Sequence, residues 1–180
     1  MPTRYNNYAY IDGVNLHRTY ASPDLDWEVD YNKLLNYLRK RYEVGVAYYF
    51  LGNVPNNKDI QEKLDLYGYT LKLKEPSPYT EDAVLCSNCG KTVKPQVERH
   101  KADVDSYLTM QVMSDMGEFN KAIIITSDGD YDELVKRLVR QDRLKAVFAP
   151  CKKGCSWLLK SAARGRIVFM DDYRDELEKI

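Results

Sequence analysis

Several things are missing from this chain of 180 residues, and each absence removes a class of function. No apolar run is long enough to cross a bilayer, and no N-terminal signal pattern is present, so the expectation is a cytoplasmic protein with no membrane partner. Net charge is also missing: 27 Lys and Arg balance 27 Asp and Glu. That balance speaks against a dedicated nucleic-acid coat, while leaving room for local basic surface around an acidic centre. Neither a P-loop nor a G-x-G-x-x-G turn occurs, so the common nucleotide-cradling loops are excluded. No Ser-His or Cys-His arrangement suggests a side-chain nucleophile, and no internal repeat or low-complexity tract appears.

What the chain does contain is acid at strand ends. Ala122 to Asp132 reads AIIITSDGDYD, a short apolar strand running into Asp128, Asp130 and Asp132. Such a run suits a strand buried on both faces of a parallel sheet, and ligands of open α/β sheets sit outside the carboxyl ends of the strands. Tyr8 to Leu16 repeats the pattern: strand, Asp12, Gly13 for a turn, then Asn15. Further carboxylates, Asp103 and Asp105, open a segment whose Val104, Leu108, Val112 and Met116 have helical spacing. A hard cation such as Mg²⁺ is the obvious occupant, since it takes oxygen ligands, usually one or two carboxylates plus waters and substrate phosphates. The competing account is local: Asp is also favoured at turns, N-caps and first helical turns.

Four cysteines fall into two close pairs, Cys86/Cys89 and Cys151/Cys155. In a reducing compartment such pairing favours a structural Zn²⁺ held by four thiolates over disulfides. Replacement of one thiolate by His100, a redox pair, or four unmetallated thiols are the alternatives. Residues 75–100 carry the first pair among Pro76, Pro78 and Pro95, and read as a long irregular insertion held by that metal. Lys91, Lys94, Arg99, His100 and Lys101 form a basic strip leading toward Asp105, fit for phosphate contacts or simply solvated. Fifteen tyrosines could pack with wet hydroxyls or stack on unpaired bases.

In order, the expected strands are 8–12, 44–51, 69–74, 122–125, 144–148 and 167–170. Helices are expected at 31–41, 57–67, 104–116, 132–141, 156–163 and 171–180, from apolar spacing and from caps such as Asp30 and Gly68. Residues 17–30 read as a loop rimming the site, with His17 as a surface or packing residue, the alternatives being a contact to a substrate phosphate or an acid. The whole of 1–180 reads as one domain: a three-layer, Rossmann-like α/β fold with a central, mostly parallel sheet of five to six strands.

Four segments together, YIDGVNL at 10–16, KADVDSYLTMQVM at 101–113, ITSDGDYDELVKRL at 125–138 and VFAPCKKGCSWLLKSA at 147–162, resemble the NYN domain of PIN-like nucleases. The resemblance spans nearly the whole chain. It implies a metal-dependent ribonuclease, read as an endoribonuclease on single-stranded or structured RNA, with a homodimer left open. It also implies catalytic and metal-binding roles in Mg²⁺ or Mn²⁺ chemistry for Asp12, Asp105, Asp128 and Asp130. Asn15, Ser127 and Lys101 are then the expected substrate contacts. Two positions depart from the family pattern: Gln111 stands where a further acid is often found, and Tyr131 where Phe is usual. Outside that resemblance, a catalytically weak RNA-binding adaptor and a different Mg²⁺ phosphotransfer enzyme are the rival readings.

Overall fold

The computed structural model describes residues 6–22 and 25–179, apart from the side chains of residues 56 and 99–101. Six parallel strands form the central sheet: β1 (Asn7–Asp12), β2 (Val44–Gly52), β3 (Thr70–Lys74), β8 (Ala122–Ile125), β9 (Leu144–Ala149) and β10 (Ile167–Phe169). Their order is β10-β9-β8-β1-β2-β3. The chain therefore moves outward from β1 in one direction, returns, and moves outward in the other. The reversal lies between β1 and β8, where Tyr10 stands opposite Ile124 on one side and Tyr48 on the other. That is the topological switch point of an open α/β sheet, where ligands bind.

Strand alternation divides the core in two. Ala9 and Ile11 face a cluster with Leu34, Leu38 and Leu64, contributed by α2 (Tyr31–Tyr42) and α3 (Lys58–Tyr67). Tyr10 and Phe50 face the opposite cluster, with Leu108, Leu134, Leu138 and Leu159 from α4 (Asp105–Ser114), α5 (Asp132–Arg140) and α6 (Trp157–Ala163). The period of two along each strand thus supplies both faces of a three-layer sandwich. The expected helix caps are present: Asp30 accepts the Lys33 N–H at 2.9 Å, and Gly68 closes α3 at φ 95°. Among the described residues no helix is long and apolar enough to cross a membrane.

Three segments differ from expectation. Residues following Asp12 form a helix, α1 (Gly13–Tyr20), rather than a loop. It shows no apolar stripe because only Gly13 and Leu16 are buried. The irregular insertion is instead two small antiparallel ladders, β4 (Ser77–Glu81) with β7 (Val97–Lys101) and β5 (Val84–Leu85) with β6 (Thr92–Lys94). Both faces of β4 are exposed, which erases the alternation that marks a half-buried strand. The C-terminal helix is short, α7 (Arg174–Leu177), after a 3₁₀ turn at Met170–Tyr173.

The two cysteine pairs of the expected zinc site lie on separate segments. Cys86 and Cys89 sit on the turn joining β5 to β6, where the Gly90 N–H donates to Cys86 O at 2.9 Å and the Cys86 N–H to Lys91 O at 2.8 Å. Backbone N–H groups of Asn88 and Cys89 directed at the Cys86 sulfur hold that thiol below its ordinary pKa. Cys151 and Cys155 follow β9, and burial pushes the Cys155 thiol up. The insertion leaves the sheet at β3, four strand spacings from β9, which is about 19 Å across a sheet of ordinary geometry. Among the described residues neither pair joins a group of three or more ligand atoms that could hold one ion. The alternative ligand, the His100 side chain, lies outside the described residues.

Candidate metal centre

At the carboxyl ends of β1 and β8 the chain brings three carboxylates together. Asp105 is the first residue of α4, and Asp128 and Asp130 belong to the tight turn after β8. One oxygen from each lies within 4.8 Å of the others. Asp105 and Asp128 are half-buried and Asp130 is exposed, so the group faces an open crevice of about 360 Å³ rather than the core. The Asp128 side chain accepts the Asp130 N–H at 3.0 Å, which folds the turn so that both acids point the same way. The glycine between them packs closely on α6, since a Cβ on Gly129 would stand 2.5 Å from Ser156 Oγ and make that hydroxyl turn away.

Asp12 behaves differently from these three. It lines the same crevice but is only 2% exposed, and it is not part of the close trio. Its Oδ1 accepts the Asn15 N–H at 2.9 Å, capping α1, and its Oδ2 accepts the Thr126 hydroxyl at 3.3 Å. Thr126 in turn accepts the Asp128 N–H at 3.1 Å, so one hydroxyl ties the end of β1 to the acidic turn. Burial raises the Asp12 pKa to about 6 against the lowering effect of its hydrogen bonds, with the nearby Asp105 charge adding to the rise. Asp105 is raised too, chiefly by burial, with Asp103 and Asp128 contributing like-charge repulsion.

Tyr131 links the two levels. Its buried hydroxyl donates to Asp105 Oδ1 at 2.9 Å and also interacts with Asp12, lowering the pKa of both carboxyls. Below the acids, Asn15 is engaged as a clamp: its side-chain oxygen accepts both the N–H of Ser127, at 2.9 Å, and its hydroxyl, at 2.8 Å.

This arrangement of acids at a switch point is matched by family-level likeness. The model of the NYN domain matches residues 8–171. The chain belongs to the NYN domain family. No curated protein matches. Among solved structures, a protein of unknown function from Vibrio parahaemolyticus RIMD 2210633, VPA0982, is 18% identical, with a TM-score of 0.68 over 99% of this chain and 100% of that one. At that identity the likeness concerns the fold alone.

Within the NYN domain the expected site residues take separate stations. Asp105, Asp128 and Asp130 converge, while Asp12 stands beneath them as a buried cap and anchor. Asn15 lines the crevice, but Ser127 is 8% exposed and spends its hydroxyl on Asn15, so it braces the site from behind. Lys101 has its side chain outside the described residues. Gln111 donates to Asp115 Oδ1 at 2.8 Å, and Asp115 also accepts the Tyr10 hydroxyl, so that position belongs to the helix α4 packing rather than to the acids. His17 is exposed and lines a neighbouring cavity instead of the crevice. Thr126 and Tyr131 were not legible as site residues, because their importance rests on hydrogen bonds across strands. The crevice also takes Arg18 from the unforeseen helix α1, together with Asp103.

Proposed function

We propose that this NYN domain hydrolyses phosphodiester bonds in RNA with the help of Mg²⁺ or Mn²⁺ held by Asp105, Asp128 and Asp130. The observation that carries the reading is the convergence of three carboxylate oxygens within 4.8 Å at the open end of the sheet. Three hard oxygen donors suit these cations, and the like-charge repulsion already felt by Asp105 is what a cation would relieve. When bound, such an ion supplies positive charge to the phosphate and acidifies a water for attack. Family membership supports the nuclease class, and RNA as the substrate follows from the same likeness.

The chain's own groups do the rest. Tyr131 fixes the orientation of Asp105 through its hydroxyl, and outer hydrogen bonds of this kind commonly control both ligand geometry and affinity. Asp12 holds the beginning of α1 and, through Thr126, the backbone of Asp128, so it positions the trio. Arg18 reaches the same crevice and offers a guanidinium for a phosphate oxygen.

A second reading, an RNA-binding adaptor of little catalytic power, draws on the insertion, where Val84, Leu85 and Val93 are all exposed. Incubation of end-labelled single-stranded RNA and DNA with purified protein in Mn²⁺, Mg²⁺ or EDTA, beside Asp128→Asn, decides between them. Metal-dependent cutting of RNA that EDTA and Asp128→Asn both abolish supports the nuclease. Inert wild-type protein that still binds RNA supports the adaptor.

A further inference from the structure

A second cavity, of about 420 Å³, adjoins the acidic crevice and shares Val14, Arg18 and Asn57 with it. It lies between α1, α3 and the end of β2, and its floor is apolar: Gly13, Val14, Tyr49, Leu51 and Ile60. The wall formed by Tyr49 is rigid. Tyr69 meets its ring edge-on at 5.6 Å and Tyr31 does so at 5.8 Å, which leaves the ring 2% exposed. Gly13 allows the close packing of helix on ring, since a Cβ there would collide with Tyr49 and lie 2.6 Å from Phe50 O.

The rim is polar but balanced, with Arg18 and Lys63 against Glu28 and Asp59. A phosphate would gain little there, whereas a flat neutral group with donors and acceptors on its edge suits both floor and rim. Asn57, held by its bond to Gly52 O at 2.9 Å, stands on the boundary between cavity and crevice together with Arg18. A ligand spanning both spaces would place an anionic phosphodiester among the acids and their cation, and a neutral ring in the cavity next door.

We propose that this cavity receives an unpaired nucleobase of single-stranded RNA, from a nucleotide adjoining the phosphate in the acidic crevice. The assignment rests on the nuclease reading for its substrate class, but its test does not require catalysis. A base seated there makes the domain selective for unpaired over base-paired RNA, since a paired base is held in its stack and costs several kcal/mol to extract.

The test is titration of isotope-labelled protein in EDTA with the four ribonucleoside 5′-monophosphates, and with ribose 5-phosphate as the probe lacking a base, followed by amide chemical shifts up to millimolar ligand. The expected result is that at least one nucleotide shifts the amides of Gly13, Val14 and Ile60 while ribose 5-phosphate does not. Ile60→Trp, which fills the floor, should weaken that binding by about tenfold or more. Lys63→Trp, placed on the exposed rim where it cannot disturb the core, should weaken it as well. The proposal is overturned if ribose 5-phosphate binds as well as every nucleotide, if no nucleotide shifts these amides, or if both folded variants bind like wild type. Cleavage of RNA by the wild type in Mn²⁺ would stand regardless of that failure, and loss of cleavage would leave a positive nucleotide titration intact.

Discussion

Replacing Asp12 by Asn should make the metal-free protein more stable at alkaline pH. Asp12 is 2% exposed, and its pKa is raised from 3.8 to about 6, chiefly by burial. A carboxyl whose folded pKa lies above its unfolded value contributes stability that is complete below the unfolded pKa and is lost as pH rises through the folded one. A rise of about two units corresponds to about 3 kcal/mol at pH 8. Asparagine retains an oxygen for the Asn15 N–H, and its amide can donate to Thr126 or Tyr131, so the local bonds can be remade with the charge removed. The assay is urea unfolding in EDTA from pH 4 to 8. The variant should be more stable by about 1–3 kcal/mol at pH 8, allowing for imperfect rebonding, with the advantage shrinking through pH 6 and gone near pH 4. An Asn variant less stable than wild type at pH 8, or an advantage independent of pH, would refute the claim that the buried charge strains this site.

Other consequences follow from the same geometry. Tyr131→Phe removes the donor shared by Asp105 and Asp12, so it should cost about 1–3 kcal/mol in urea unfolding at pH 8. It should also weaken Mn²⁺ binding by about 10–100-fold in calorimetry, as loss of an outer hydrogen bond to a metal ligand commonly does. Asn15→Ala strips the shared acceptor from the Ser127 N–H and hydroxyl, and should lower stability by about 1–3 kcal/mol at all pH values between 5 and 9. Mn²⁺ at about one hundred times its dissociation constant should raise the unfolding free energy of wild type by about 2.7 kcal/mol and that of Asp128→Asn much less.

Much of the architecture was legible because parallel, doubly buried strands write themselves as continuous apolar runs. Ile123 to Ile125 and Tyr8 to Ile11 could be placed at once, and the acids that end those strands pointed to the right end of the sheet. Helix α1 was not legible, since a helix lying between the crevice and its neighbouring cavity buries little and has no stripe. The insertion escaped for a related reason: its ladders are closed by backbone pairing, and the side chains of β4, β5 and β6 are exposed on both sides. Spacing also could not show that Asp12 caps α1 and is more deeply buried than the other acids of the crevice, because a ligand and an N-cap both read as Asp after a strand. Nor could two tidy cysteine pairs reveal that one sits on the β5–β6 turn and the other after β9.

The most direct test of the aspartate trio as the reactive centre measures ion binding and RNA cutting on the same samples. Mn²⁺ is titrated into wild type, Asp105→Asn and Asp128→Asn by calorimetry, and the initial rate on a labelled single-stranded RNA is taken at each point. Cutting by wild type should rise with Mn²⁺ occupancy, and each substitution should lower affinity and rate together. Either variant cutting RNA at the wild-type rate, or wild type saturating with Mn²⁺ without cutting, would contradict a reactive role for the trio.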